Sequence, residues 1–164
     1  MEIDLATART WYHKAADINA TEGGHPAAQN RLAEAYEDGD LGLLTDKEEA
    51  LKWYRQAAEG GHGWAQFCLG VTYEEGKLSV EIDLAEARAF YHEAAVGGDA
   101  AAQCRLGEAC ENGDLDLLTD KKKALKWHRQ AAEGGDGYAQ YSLGWTYEFG
   151  DLGTLTDKVE ALKW

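Results

Sequence analysis

The side chains that could perform chemistry are few, and their spacing does not suit catalysis. The only serines are Ser79 and Ser142. Neither begins a Ser-x-x-Lys motif or lies in Gly-x-Ser-x-Gly, the patterns that indicate acylation at serine. The histidines fall at equivalent repeat positions or in turns rather than as paired zinc ligands. We therefore expect no catalytic residue, no metal site, no cofactor and no enzymatic activity; the histidines are His13, His25, His62, His92 and His128.

One acidic segment, Asp38-Gly39-Asp40-Leu41-Gly42, has some features of a calcium loop. It lacks the third acidic position and the distal glutamate at the spacing that such a loop needs. We expect these acids to cap helices and solvate a connection instead.

The composition restricts the class of partner. A net charge of −14 argues against nucleic acid, because phosphate binding needs an accessible basic surface. No apolar run approaches the roughly 20 residues that cross a bilayer, so we expect a soluble protein. The three cysteines are expected to be buried and reduced. Their lack of pairing and the absence of a signal peptide favour the cytoplasm, although the localisation stays unknown.

An internal repeat organises the whole chain. Aligned aspartates are spaced by 42, 37, 37 and 37 residues, which gives four repeats and the first helix of a fifth. Such units bury their apolar faces against neighbours, so we expect one domain over residues 1–164. The starting point of the chain suggests a segment of a longer array. The aspartates are Asp4, Asp46, Asp83, Asp120 and Asp157, and the repeats span about 4–45, 46–82, 83–119, 120–156 and 157–164.

Each repeat is expected to fold as two helices, called helix A and helix B. In the second repeat, Thr45 and Asp46 are candidate caps for a helix A over 47–59, and Gly60-Gly61 ends it. Helix B is expected over 63–75, where the mid-helix Gly70 implies close approach of helix A. The aromatic residues at one helix A position are expected to pack in the core: Trp11, Trp53, Phe90, Trp127 and Trp164.

The repeated pattern resembles the Sel1-like repeat family. In one repeat it comprises Trp53-Tyr54, Ala57-Ala58, Gly61, Ala65-Gln66, Leu69-Gly70, Tyr73, Gly76, Asp83 and Ala87. The resemblance implies an all-α fold, a right-handed α/α superhelix or solenoid related to tetratricopeptide arrays, with helix A on the concave side. It also implies a protein-interaction adaptor. The first repeat departs from the pattern by a five-residue insertion near Asp17 to Thr21.

Alternate repeats are the most alike, which suggests that a two-hairpin block was duplicated. Repeats 2 and 4 share 23 of 37 aligned residues, whereas repeats 2 and 3 share 15. The alternation is clear at the fifth and ninth residues after each aspartate, which lie one helical turn apart. We call the surface that carries them the helix A face and predict that it binds a partner: Arg9, His13, Leu51, Arg55, Arg88, His92, Leu125 and Arg129.

Charge is also divided between helix A and the rest of the chain. The helix A segments hold 13 of the 16 basic residues and five of the 30 acids, so they carry +8 and the remainder −22. One interpretation is that the lysines only solvate exposed turns and pair with acids one turn away. The other is a basic face that favours an acidic peptide, bound by the arginines and histidines of the helix A face.

The leading hypothesis is a non-catalytic scaffold that binds a partner protein or peptide. A structural alternative is end-to-end stacking through apolar repeat ends, which implies self-association. A third is an accessory domain of a larger enzyme.

Overall fold

A computed structural model describes residues 4–17, 24–154 and 156–164. These residues form helices joined by short loops and contain no strand, so the all-α fold class is confirmed. The five-residue insertion predicted near Asp17 to Thr21 lies, after Asp17, outside the described residues. The helices in chain order are α1 Leu5–Asp17, α2 Pro26–Asp38, α3 Lys47–Glu59, α4 Gly63–Glu75, α5 Leu84–Val96, α6 Ala100–Asn112, α7 Lys121–Glu133, α8 Gly137–Phe149 and α9 Lys158–Ala161.

Local capping fixes where helix A begins. In α3 the Asp46 carboxylate accepts hydrogen bonds from the backbone N–H groups of Glu48 and Glu49, both at 3.1 Å. Asp120 and Asp157 cap α7 and α9 in the same way. Of the two candidate caps predicted for α3, the structure uses Asp46. The predicted bounds of the two helices of repeat 2 are confirmed.

A glutamine, buried in the first three repeats and half-buried in the fourth, joins the two helices within each repeat. The amide of Gln66 in α4 donates to the backbone oxygen of Ala58, at the end of α3, over 3.2 Å. A helix C-terminus leaves carbonyls without intrahelical donors, and this amide satisfies one of them. The equivalent hydrogen bonds join Gln29 to Ala16, Gln103 to Ala95 and Gln140 to Ala132.

The loop after each helix B has a buried leucine in left-handed conformation. These leucines have φ between 49° and 54°, a region that costs an ordinary residue roughly 1 to 2 kcal/mol. Burial of the leucine side chain offsets that cost, since a fully buried leucine contributes about 1.5 to 3 kcal/mol. The leucines are Leu41, Leu78, Leu115 and Leu152.

The contacts divide the chain into two compact units, Met1–Asp83 and Leu84–Trp164. Unit 1 holds repeats 1 and 2, and unit 2 holds repeats 3 and 4 together with α9. In unit 1, α2 packs against α3, and in unit 2, α6 packs against α7, so helix B of one repeat meets helix A of the next. One core cluster of unit 2 contains Cys104, Ala131, Ala132, Ala139, Leu143 and Tyr147.

The mid-helix glycine of α6 faces a ring from the next helix A. A methyl group added at Gly107 would lie 2.8 Å from Cε1 of His128, which is fully buried in α7. The expected steric reason for this glycine is therefore present. The group that approaches is the imidazole of the following repeat, and not the paired alanines that the sequence suggested.

The aromatic core prediction is correct for Trp53 but wrong for Trp11. Trp53 is 6% exposed, whereas Trp11 is 63% exposed and lies beneath the Lys14 ammonium, 4.6 Å from the ring centroid. Phe90, Trp127 and Trp164 are half-buried. The equivalent position is thus covered to different extents, because burial depends on what packs against each helix and not on the helix alone.

Candidate partner-binding surfaces

The fifth helix A position connects helix A to the loop after the following helix B. In unit 1, Nη1 of Arg9 donates to the backbone oxygen of Gly42 over 3.3 Å. In unit 2, Nη1 of Arg88 donates to that of Leu115 over 3.0 Å. These arginines therefore stabilise loops that carry the left-handed leucines.

Leucine replaces arginine at this position in the second repeat of each unit. Leu125 packs against the cluster of Cys110, Ala124 and Leu152, which includes the left-handed leucine of its own repeat. Leu51 is half-buried in α3. At Leu125 the exchange of arginine for leucine thus replaces a hydrogen bond to the loop by an apolar contact with it.

At the ninth position, the arginines contact tyrosines of their own hairpin. Nη2 of Arg55 donates to the Tyr73 hydroxyl over 2.6 Å, and Arg129 donates to the Tyr147 hydroxyl. The Arg129 guanidinium also lies 5.6 Å from the centre of that ring. Since a phenol is neutral, these contacts orient the guanidinium without cancelling its charge.

The histidines at the ninth position contact the tryptophan of the next helix A. The His13 ring meets Trp53 edge-on with 5.9 Å between centroids, and His92 meets Trp127 in the same way at 6.2 Å. His92 is exposed, and His13 is half-buried. Within each unit, the predicted residues therefore contribute to packing between the two repeats as well as to the surface.

Several helix A lysines pair with nearby acids. Lys52 lies 3.1 Å from Glu49, one turn away on α3, and Lys123 lies 3.5 Å from Asp120, the residue that caps α7. The backbone N–H of Lys123, followed by its ammonium group, lowers the pKa of Asp120. Such exposed pairs contribute little to stability, because water screens them. These two lysines therefore pair with nearby acids, as expected if the helix A lysines only solvate the surface.

A second exposed surface lies on α8 and was not anticipated from the sequence. Four aromatic side chains lie along one side of this helix, each between 50% and 65% exposed. The centroid of the Trp145 ring is 4.3 Å from that of Phe149 and 6.4 Å from that of Tyr141, so these three rings are adjacent. We call this row the α8 aromatic face: Tyr138, Tyr141, Trp145 and Phe149.

The α8 aromatic face borders two cavities in unit 2. One, of about 410 Å³, is lined by Tyr141, Gly144, Glu148 and Trp164 among others. The other, of about 200 Å³, lies between Trp145, Ser142 and the carboxylates of Glu111 and Asp151. The main chain N–H of Leu152 and then the Lys121 ammonium lower the pKa of Asp151, so its carboxylate is ionised at neutral pH.

Comparison with known families agrees with the repeat architecture. The Sel1 repeat model matches residues 1–19, 26–62, 65–99, 100–136 and 137–164. The chain belongs to the Sel1 repeat family. Proteins with this repeat generally mediate protein–protein interactions, and the fold is typically a non-catalytic scaffold. No curated protein matches the chain.

Three solved structures with the same architecture come from bacteria. A Sel1 repeat protein from Oxalobacter formigenes is 34% identical with a TM-score of 0.85, and the match covers 96% of this chain and 61% of that one. A protective antigen of uropathogenic Escherichia coli with an SLR fold is 33% identical (TM-score 0.77; 98% and 33% covered). Helicobacter pylori cysteine rich protein B is 25% identical (TM-score 0.63; 85% and 95% covered).

The chain thus spans less than two thirds of the first two of these proteins. Neither a membrane-crossing helix nor a group of His, Cys, Asp and Glu side chains able to hold a metal ion is found in residues 4–17, 24–154 and 156–164.

Neither the α8 aromatic face nor the burial of His128 was predicted from the sequence. A signal for both was present in the aligned repeats. His128 takes the place of Tyr54 and Tyr91, which marks it as a core position. Ser142 takes the place of Arg31 and Arg105, and that exchange removes a basic residue beside the aromatic row.

Proposed function

We propose that this chain is a non-catalytic protein-binding module whose helix A face holds an acidic segment of a partner. Support comes from Arg55 and Arg129, which are exposed and held by tyrosine hydroxyls. A guanidinium that is already oriented loses less side-chain entropy on binding a carboxylate. The contacts of Arg9, Arg88, His13 and His92 support the same face by fixing its loops and helices.

A binding experiment with a charge-matched control tests this proposal. Acidic and basic peptide pools are applied to the wild type, to Arg55→Glu with Arg129→Glu, and to each single variant. We expect the wild type to prefer the acidic pool and the double variant to lose at least about tenfold in affinity, which corresponds to 1.4 kcal/mol. Equal binding of both pools by both proteins would overturn the proposal.

Lys77→Glu is the control for Arg55→Glu, since it changes the charge equally on an exposed residue of the same unit outside helix A. We expect it to reduce acidic-peptide binding much less than Arg55→Glu. Equal losses would mean that net charge, and not the helix A face, governs binding. Tyr73→Phe removes the hydroxyl that orients Arg55 and should weaken binding without changing the charge.

Self-association is a second candidate, favoured by the exposed Trp11 ring on α1. Large exposed apolar side chains are common in interaction surfaces, and the Trp11 ring is 63% exposed. Light scattering over a concentration series distinguishes this role. A mass that rises with concentration in the wild type but not in Trp11→Ser would support stacking, and a constant monomer mass would exclude it.

A further inference from the structure

The first and third repeats share an internal bridge between helix B and the loop that follows it. In repeat 1, Arg31 of α2 is paired with Asp40 and lies 3.8 Å from Glu34. In repeat 3, Arg105 of α6 lies 3.5 Å from Asp114 and 3.9 Å from Glu108. Each arginine thus occupies a place between a loop aspartate and a glutamate of its own helix.

Repeat 4 keeps the loop aspartate but not the arginine. Ser142 stands where Arg31 and Arg105 stand in their repeats, and Asp151 stands where Asp40 and Asp114 do. The shorter side chain leaves the cavity of about 200 Å³ next to Asp151. Sites for drug-sized ligands are about 300 to 1,000 Å³, so this cavity suits a single side chain.

The exchange also changes the wall of the cavity. Trp145 replaces the helix glutamate of repeats 1 and 3, and Tyr138 and Tyr141 complete an aromatic lining. Aromatic faces attract cations, and arginine stacks on them with its flat guanidinium. Glu111 and Asp151 add negative charge, and the described residues that line the cavity include no basic side chain. The exposed Lys121 ammonium lies 3.3 Å from the Asp151 carboxylate, so an incoming guanidinium would share that carboxylate with it.

Repeat 2 provides the contrast. It also has a small residue, Cys68, at the arginine position, but Lys77 replaces the loop aspartate. An ammonium in place of a carboxylate repels a guanidinium. Only repeat 4 therefore combines a small residue on helix B with an acid in the loop.

We infer that the cavity between Ser142, Trp145 and Asp151 binds an arginine side chain of a partner protein, in the place that the chain's own arginines take in repeats 1 and 3. The inference rests on the proposed protein-binding function but concerns a separate surface. The partner would insert its guanidinium against Asp151 and stack it on the α8 aromatic face.

Nuclear magnetic resonance titration with short capped peptides tests the inference. The probes are Ac-Gly-Arg-Gly-amide, the same peptide with the neutral isostere citrulline, and the same peptide with lysine. We expect the arginine peptide to shift the Trp145 indole signal and the amides near Ser142 and Asp151 saturably, and the citrulline peptide to bind at least about tenfold more weakly. Lysine should bind less tightly than arginine, since it cannot stack as a planar group.

Ser142→Arg is the decisive variant, because its own side chain should fill the cavity as Arg105 does in repeat 3. We expect it to fold and to lose at least about tenfold in affinity for the arginine peptide, while Ser142→Ala keeps the wild-type affinity within about twofold. Asp151→Asn should weaken binding similarly and provides the test if Ser142→Arg does not fold.

Three outcomes would overturn the inference. The first is equal binding of the arginine and citrulline peptides. The second is undiminished binding of the arginine peptide by Ser142→Arg, or by Asp151→Asn if Ser142→Arg does not fold. The third is the absence of a saturable shift up to about 10 mM peptide. Arg55→Glu leaves the cavity unchanged, so it should bind the arginine peptide normally. Failure of the helix A face and failure of the cavity can therefore be told apart.

Discussion

The same core position holds a tyrosine in unit 1 and a histidine in unit 2. In unit 1 the Tyr54 hydroxyl donates to Glu37 over 2.8 Å. In unit 2 Nε2 of His128 lies 3.3 Å from Glu111, and within the described residues its buried Nδ1 has no hydrogen-bond partner. The two units thus keep one polar link between neighbouring repeats but make it with different rings. A repeat array can exchange the chemistry of a core position while its helices stay in place.

The residue on helix B changes together with this ring. Repeat 1 has Ala33 in α2, which is fully buried, where repeat 3 has Gly107 in α6. The imidazole of His128 lies so close to Gly107 that even a methyl group would collide with it. Unit 2 therefore has a close contact between α6 and the His128 ring, but at that contact it carries glycine, which is a poorer helix former than alanine.

The strongest way to break this comparison is Gly107→Ala. The new methyl group would meet a buried ring, and overpacking of this kind costs about 1 to 3 kcal/mol of unfolding free energy. We expect a loss near 2 kcal/mol in urea unfolding. Gly144→Ala is the matched control, since the nearest atom, the Ala161 oxygen, would be 3.8 Å away. It should be neutral or stabilise by up to about 1 kcal/mol. A destabilised Gly144→Ala with an unaffected Gly107→Ala would contradict the packing argument.

A smaller effect is expected from the reverse change in unit 1. Ala33→Gly should lower the unfolding free energy by about 1 kcal/mol, because glycine is a worse helix former and the buried methyl contact is lost. Thermal unfolding monitored by circular dichroism measures it. An increase in unfolding free energy for Ala33→Gly would contradict this expectation. It would mean that the Ala33 methyl group crowds α3, as a methyl group at position 107 would crowd α7.

The smallest expected effect is a difference in acid sensitivity at the loop aspartates. The Arg31 guanidinium lowers the pKa of Asp40, and the Leu41 N–H group lowers it further. The stabilisation from an acid with a lowered pKa is fully present above its ordinary value, about 3.9, and is lost as pH falls through the lowered value. Asp40→Asn should therefore be less stable than the wild type at pH 7, and the difference should shrink below about pH 4.

Unfolding of both proteins between pH 7 and pH 2 measures this difference. Arg31→Gln should remove most of it, because the guanidinium is the main cause of the lowered pKa. A gap between wild type and Asp40→Asn that stays constant down to pH 2 would show that the carboxylate contributes little through its charge.

Much of the fold could be predicted because the signals are local. Asp46 and the glycines after residue 59 determine α3 within a few residues, and the apolar stripe that ends in Ala57-Ala58 identifies its buried side. The family pattern then extended this result to the other repeats. Trp11 could not be placed in this way, since its exposure depends on what covers the helix and not on the helix sequence.

The helix A face could be predicted only as a set of positions. Its periodicity indicated which residues share a side of the helix, but not that Arg88 reaches a loop oxygen 27 residues away or that Arg55 contacts a phenol. The cavity between Ser142, Trp145 and Asp151 was harder to predict, because it depends on the replacement of an arginine by a serine. The sequence shows Ser142 at the position of Arg31 and Arg105, but only the structure shows that those arginines pair with a loop aspartate.

The glutamine hydrogen bonds have a consequence for how this chain could evolve and fold. Each one lies within a single hairpin, as between Gln66 and Ala58, so it is preserved when a hairpin or a pair of hairpins is copied in the gene. It also joins residues close in sequence, eight apart in repeats 2 to 4 and 13 apart in repeat 1, which lets a hairpin form before its neighbours do. Folding could thus start in any repeat and spread along the chain in either direction. Duplicating a two-hairpin block therefore adds length without requiring a new way to fold.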